Sequence, residues 1–152
     1  MNDQPARPAA GRAGVHVFPV RVYYEDTDAA GIVYYANYLK FAERARTEML
    51  RDFGIDHPSL LATGGVAFAV RRCSADYRVP ARLDDRLEVR TRVIAVRGAS
   101  IVLEQAVCRA GEVIVPIEVT LACMNRGGRA TRVPARIRAM FEDFRNDFGE
   151  GE

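Results

Sequence analysis

The pattern of apolar and polar positions changes period along the chain. From Val15 to Glu25 the residues are strand-like by type, rich in Val, Phe and Tyr. Pro19 removes a ladder donor and demotes the first half of that run to a sheet edge. From Ala36 to Phe53 the period becomes helical. Tyr38, Ala42, Ala45, Met49 and Phe53 recur at spacings of three and four, with Glu43, Arg44, Arg46, Glu48 and Arg51 on the remainder. Arg44 with Glu48 and Glu43 with Arg46 are placed for pairing along that surface, and Gly54 is a natural stop. Ile55 to Gly65 reads as a short turn of helix, capped by Asp56 or Ser59, with Gly64 and Gly65 as the exit.

Beyond Gly65 the pattern is that of strands: Val66 to Arg78, a run around Leu87 to Ala95, Ser100 to Arg109 and Glu112 to Asn125. Leu87, Val89, Thr91, Val93 and Ala95 share one face, opposite Glu88, Arg90 and Arg92. Turns at Gly98 and Gly111 make these runs an antiparallel meander. Pro134 opens a final helix to Phe144. A sheet of this kind needs one face covered, and the long helix is the element large enough to cover it. The predicted architecture is an α+β domain, an antiparallel sheet of about five strands wrapped around one long central helix.

Composition narrows the function. A chain of 152 residues, 49% of them hydrophobic, fits one domain. We place it at 16–146, between a disordered N-terminal tail at 1–15 and a frayed C-terminal tail at 147–152. A net charge of +2 is too small for phosphate tracking by bulk electrostatics, so no nucleic-acid partner is expected. No apolar run approaches the roughly 18 residues of a membrane span, and residues 1–15 lack the apolar core of a signal peptide. Cys73, Cys108 and Cys123 form no C-x-x-C pair and read as reduced core thiols, which points to the cytoplasm. His16 and His57 have no motif partners and read as surface or turn residues. No metal or cofactor is expected.

The candidate chemistry lies where the first strand runs into the helix. Asp28 precedes the helix by a few residues, so its carboxylate and the unbonded N–H groups of the first turn can face one small volume. Amides that hold an oxyanion, beside a carboxylate that attacks or activates water, suit acyl transfer. By spacing alone, Asp26-Thr27-Asp28 followed by Gly31 reads first as turn and capping chemistry and does not name an enzyme.

The run Tyr24-Glu25-Asp26-Thr27-Asp28-Ala29-Ala30-Gly31-Ile32-Val33-Tyr34-Tyr35, with Asn37-Tyr38 and Phe41 to Leu50, resembles the signature of hotdog-fold acyl-coenzyme A thioesterases. It is most similar to the 4-hydroxybenzoyl-CoA thioesterase family, in the YbgC-type branch associated with the Tol-Pal cell-envelope system. The resemblance implies a hotdog fold, an acyl-CoA substrate, Asp28 as the catalytic acid, and the Tyr35 backbone N–H as the group that polarises the thioester carbonyl. Gly31, Val33 and Tyr34 would line the substrate. Arg71, Arg126 and Arg129, with Arg72 and Arg132, are candidates for the coenzyme's phosphates. Members of this branch often carry histidine where this chain has Tyr35, a change that keeps a backbone donor and loses an imidazole. The resemblance further implies sites formed between paired subunits, as a dimer or a dimer of dimers. The rival reading is a non-catalytic module of the same fold that docks acyl carrier protein or cell-envelope partners.

Overall fold

The computed structural model describes residues 14–149. Strand β1 (His16–Arg21) leads through a 3-10 turn (Tyr24–Asp26) and a short loop into helix α1 (Asn37–Asp52). Helix α2 (His57–Ser59) continues as a π-helical turn (Leu60–Gly64), and strands β2 (Val66–Ala75), β3 (Arg86–Val96), β4 (Ser100–Arg109) and β5 (Glu112–Asn125) precede helix α3 (Ala135–Gly149). The strands form one five-stranded antiparallel sheet in the order β1-β3-β4-β5-β2.

That order corrects the expected meander. Only β3, β4 and β5 follow one another; β2 pairs with β5 at the far edge, and β1 lies beside β3 at the other. The chain therefore crosses the sheet between β2 and β3, through a loop spanning 76–85. The first strand also ends at Arg21 rather than Glu25, because Asp26 Oδ2 accepts the Tyr23 N–H (2.8 Å) and folds the aromatic run into the 3-10 turn. Pro19 lies within edge strand β1, where a missing N–H is tolerated. Helix α3 runs five residues past the expected end at Phe144. The predicted tail at 1–15 lies almost wholly outside the described residues.

Registered rows of the sheet explain the core. Val89, Val107 and Val115 stand side by side across β3, β4 and β5, as do Val93, Leu103 and Val119. All six are at most 5% exposed. Against these rows α1 lays Phe41, Ala42, Ala45 and Met49, each 1% exposed or less, as the three-and-four spacing requires. One polar row interrupts the apolar ones: Thr91 and Gln105, both fully buried. Gln105 Nε2 donates to Ala42 O (2.9 Å) and Thr91 Oγ1 (3.0 Å), while its Oε1 accepts from Arg46 Nη1 (3.0 Å). Arg46 thus turns toward the sheet instead of pairing with Glu43, and burial pulls its guanidinium below its ordinary pKa. Glu48 approaches Arg51 (3.8 Å) rather than Arg44.

Phe141 of α3 packs edge-on against Phe53 at the end of α1 (5.8 Å), which closes the C-terminal end of the central helix. The same end corrects the reading of His16: it is 9% exposed, and its Nε2 lies 2.8 Å from Asp52 Oδ2. Strand β1 starts where α1 finishes, so its first residue meets the last of the helix. Cys108 and Cys123 are buried as expected, whereas Cys73, on edge strand β2, is exposed. The N-terminal end of α1, where the sequence places the candidate chemistry, lies about 24 Å from the closed end over its 16 residues.

Candidate active site

The loop from Asp26 to Ala36 is wound on itself by backbone bonds. Asp28 N donates to Ile32 O (2.9 Å), Gly31 N to Asp28 O (3.0 Å), and Tyr34 N to Asp26 O (2.9 Å). Asn37, first in α1, donates from Nδ2 to the same Asp26 carbonyl (2.9 Å), which ties the helix start to the acidic turn. Gly31 has φ +78°, and a Cβ built there meets nothing within 4 Å, so backbone conformation rather than crowding selects glycine. Val33 is buried, and its N–H donates to Ala81 O (2.9 Å) of the β2–β3 loop.

This winding sorts the three acids. Asp26 is consumed structurally: its carboxylate caps Tyr23 N, and its carbonyl holds Tyr34 and Asn37. Asp28 makes the turn contact that spacing alone anticipates, with Oδ1 accepting from Ala30 N (2.8 Å). Its other oxygen has no hydrogen-bond partner among the described residues, and the side chain is solvent-exposed. Glu25 is exposed on the 3-10 turn, off the loop that winds around Asp28.

The amides sort equally sharply. Asn37 N, Tyr38 N and Leu39 N, at the start of α1, already donate to Tyr34 O, Tyr35 O and Ala36 O. The N–H groups of Tyr35 and Ala36, one step earlier, have no partner among the described residues. The free donors are therefore not those of the first helical turn but the pair just before it, where the helix dipole still favours negative charge.

Around these amides lie aromatic rings. The Tyr34 and Tyr35 centroids are 5.0 Å apart, and Tyr35 meets Tyr77 edge-to-face at 5.7 Å and 84°. Tyr77 also lies 5.8 Å from Tyr38, whose hydroxyl accepts from Ala81 N (2.9 Å). Burial raises the Tyr38 phenol above its ordinary pKa against the lowering effect of that bond. Tyr77 went unread in the sequence. An aromatic residue just past the end of a strand carries no spacing that links it to Tyr35.

The arginines do not gather here. Arg71 occupies the irregularity in β2 between Val70 and Arg72, and it is exposed. Arg126 Nη2 donates to the carbonyls of Leu61 (3.1 Å) and Ala62 (3.0 Å), so it clamps the π-helical turn. Arg129 and Arg132 are exposed in the turn after β5. Because Val66 pairs with Asn125, that turn lies at the beginning of β2, while Tyr77 lies beyond its end. Ten residues of strand separate the two, roughly 30 Å. Among the described residues, no group of three or more His, Cys, Asp or Glu is placed to hold a metal ion.

Comparison with known proteins identifies the family. A model of the thioesterase-like superfamily matches residues 22–141. An acyl-CoA thioesterase, YbgC, of Haemophilus influenzae is 46% identical over 125 residues, covering 82% of this chain and 92% of that protein. An acyl-CoA thioester hydrolase, YbgC, of Escherichia coli O157:H7 is 48% identical over 109 residues, covering 71% and 81%. The crystal structure of a probable thioesterase from Bartonella henselae superposes with a TM-score of 0.76 at 36% identity, over 79% of this chain and 99% of that one. The chain belongs to the thioesterase-like superfamily, has its hotdog fold, and falls within the YbgC-type branch of acyl-CoA thioesterases.

Proposed function

We propose that the chain hydrolyses acyl-coenzyme A thioesters to the free acid and CoA at the corner between Asp28 and Tyr35. The observation that carries this reading is the pair of unbonded N–H groups, Tyr35 and Ala36, beside a turn that leaves one Asp28 oxygen uncommitted. A thioester carbonyl accepting from those amides is polarised, and the negative charge that grows on its oxygen meets donors already in place. Asp28 then either takes the proton of a water that attacks the carbonyl carbon, or attacks that carbon itself to form an acyl anhydride that water opens. In both routes the C–S bond breaks, the coenzyme leaves as thiolate, and one water is consumed. Its oxygen ends in the acid unless water opens the anhydride at the Asp28 carboxyl carbon, when the acid carries an Asp28 oxygen instead.

The separation of the arginines supports a paired molecule. Strand β2 is a sheet edge with its outer backbone groups open to pairing. Two copies joined antiparallel along β2 would bring the turn bearing Arg129 of the partner subunit beside the Tyr77 end of the first. The phosphates of CoA would then meet cations supplied across the interface. A dimer is the smallest assembly with a complete site; a dimer of dimers repeats it.

The test is thiol release from a panel of acyl-CoAs, short, long and aromatic, by the wild type and by Asp28→Asn. Asparagine keeps an oxygen for the Ala30 N–H, so the turn survives while the base is lost. Turnover is expected to fall by about 100- to 10,000-fold with an unchanged melting curve. Near-normal activity in the variant would refute the role of Asp28. Silence of the wild type across the panel would favour a non-catalytic module that docks acyl carrier protein. In a single turnover in oxygen-18 water, label in Asp28 with an unlabelled product acid identifies Asp28 as the nucleophile.

A further inference from the structure

We propose that Tyr77 sets the size of the acyl group this site accepts, an inference that rests on the hydrolase reading above. Tyr77 stands two residues past β2, on the loop that joins it to β3. That loop is held on both sides of the ring. Asp76 N donates to Pro116 O (3.1 Å) and Arg78 N to Ile114 O (3.0 Å), so the backbone at Tyr77 is fixed to β5. Farther along, Ala81 receives the Val33 N–H and gives its own to the Tyr38 hydroxyl, which fixes the loop to the acidic turn and to α1.

The ring therefore has a set position, and that position is a corner. Tyr35 and Tyr77 meet at 84°, and they are 58% and 43% exposed. Beneath them Tyr38 and Phe41 are 3% and 1% exposed. In the single chain the corner has two exposed apolar walls over a buried base. A carbonyl oxygen seated on the Tyr35 and Ala36 amides leaves its acyl substituent beside the Tyr35 ring, and Tyr77 is the next wall that substituent meets. A short group gains by covering the two ring surfaces. A longer one runs into Tyr77 and must turn aside along the ring. The wall is also uncharged: burial, with Cys73, Tyr35 and Tyr38 nearby, raises the phenol above its already high pKa.

The experiment compares kcat/KM for butyryl-, hexanoyl- and decanoyl-CoA in wild type, Tyr77→Ala and Tyr77→Phe. Removal of the ring is expected to raise the decanoyl-to-butyryl ratio by about tenfold, the scale of a changed apolar pocket contact. Tyr77→Phe keeps the wall and is expected to leave the ratio within about twofold. A residue that served only the fold would lower all three substrates by one factor and leave the ratio alone. That result in a folded Tyr77→Ala protein overturns the assignment. Should the alanine variant fail to fold, Tyr77→Trp carries the same test with opposite sign: a larger wall lowers the ratio, and an unmoved ratio overturns the proposal. A wild type that releases no thiol from any substrate overturns the hydrolase reading itself, whereas normal wild-type turnover with an unmoved ratio overturns the Tyr77 assignment alone.

Discussion

Asp28 and Gln105 represent two ways in which a polar side chain can be held in this molecule. Asp28 is exposed, with one oxygen in its own turn and the other uncommitted. Gln105 is fully buried and spends both ends of its amide on Arg46, Ala42 and Thr91. Because Gln105 meets the central helix from the sheet, it fixes where α1 sits on β4. Gln105→Leu keeps much of the volume and strands the Thr91 hydroxyl and the Arg46 guanidinium. Stability to urea is expected to fall by about 1–3 kcal/mol, with the unfolding midpoint reduced and the slope unchanged. Gly31→Ala is a conformational test instead: open space surrounds the position, so the cost is that of positive φ alone, about 1–2 kcal/mol in the same measurement. The placement of residues was legible where a local pattern carried it. The D-x-D-x-x-G run marked the turn, and the turn assigns Asp26 to structure and Asp28 to solvent. Gln105, Tyr77 and His16 were not legible, because each depends on a partner from a distant element.

Among the elements, α1 was read to within one residue at either end, since a long amphipathic stripe with a glycine stop is a local signal. The acidic turn, the capped helical turn at Asp56 and the final helix at Pro134 were legible for the same reason. Strand order was not. Nothing in the spacing of β2 distinguishes pairing with β3, its neighbour in sequence, from pairing with β5, and the 76–85 loop is long enough for either. Its place at the edge matters to the proposed assembly. Val70 is 51% exposed near the middle of β2, so Val70→Lys sets like charges close together when two copies pair there. We expect the dimer dissociation constant, measured by sedimentation, to rise at least about tenfold, with activity per chain falling as monomer accumulates. The Arg129→Ala variant is expected to raise KM for acyl-CoA about tenfold with kcat retained, and to leave a thioester lacking the nucleotide unaffected.

For the molecule as a whole, the β2–β3 loop is the strap between the sheet and the site, and its far end is pinned by a carboxylate. Asp85 Oδ2 accepts from Arg82 N (2.9 Å) and from Arg109 Nη1 (2.9 Å). Burial pushes this carboxyl up, but those bonds and the two arginine charges outweigh it and hold its pKa below the ordinary value. A folded pKa depressed below the unfolded one means that the stabilisation is fully present above the unfolded value, near pH 4. It is lost as pH falls through the folded pKa. Thermal melts between pH 7 and pH 2 are therefore expected to show an acid-induced loss that Asp85→Asn reduces, while the variant is less stable than wild type at pH 7.

The two edges of the sheet are unlike. Strand β1 is a six-residue edge interrupted by Pro19, while β2 is a ten-residue edge without proline. A protein with two open edges can add copies at both ends and grow into a fibre. A sheet with one usable edge stops growing once that edge has met its own copy, so in the pair proposed above the placement of a single imino acid would leave the second edge closed to further copies.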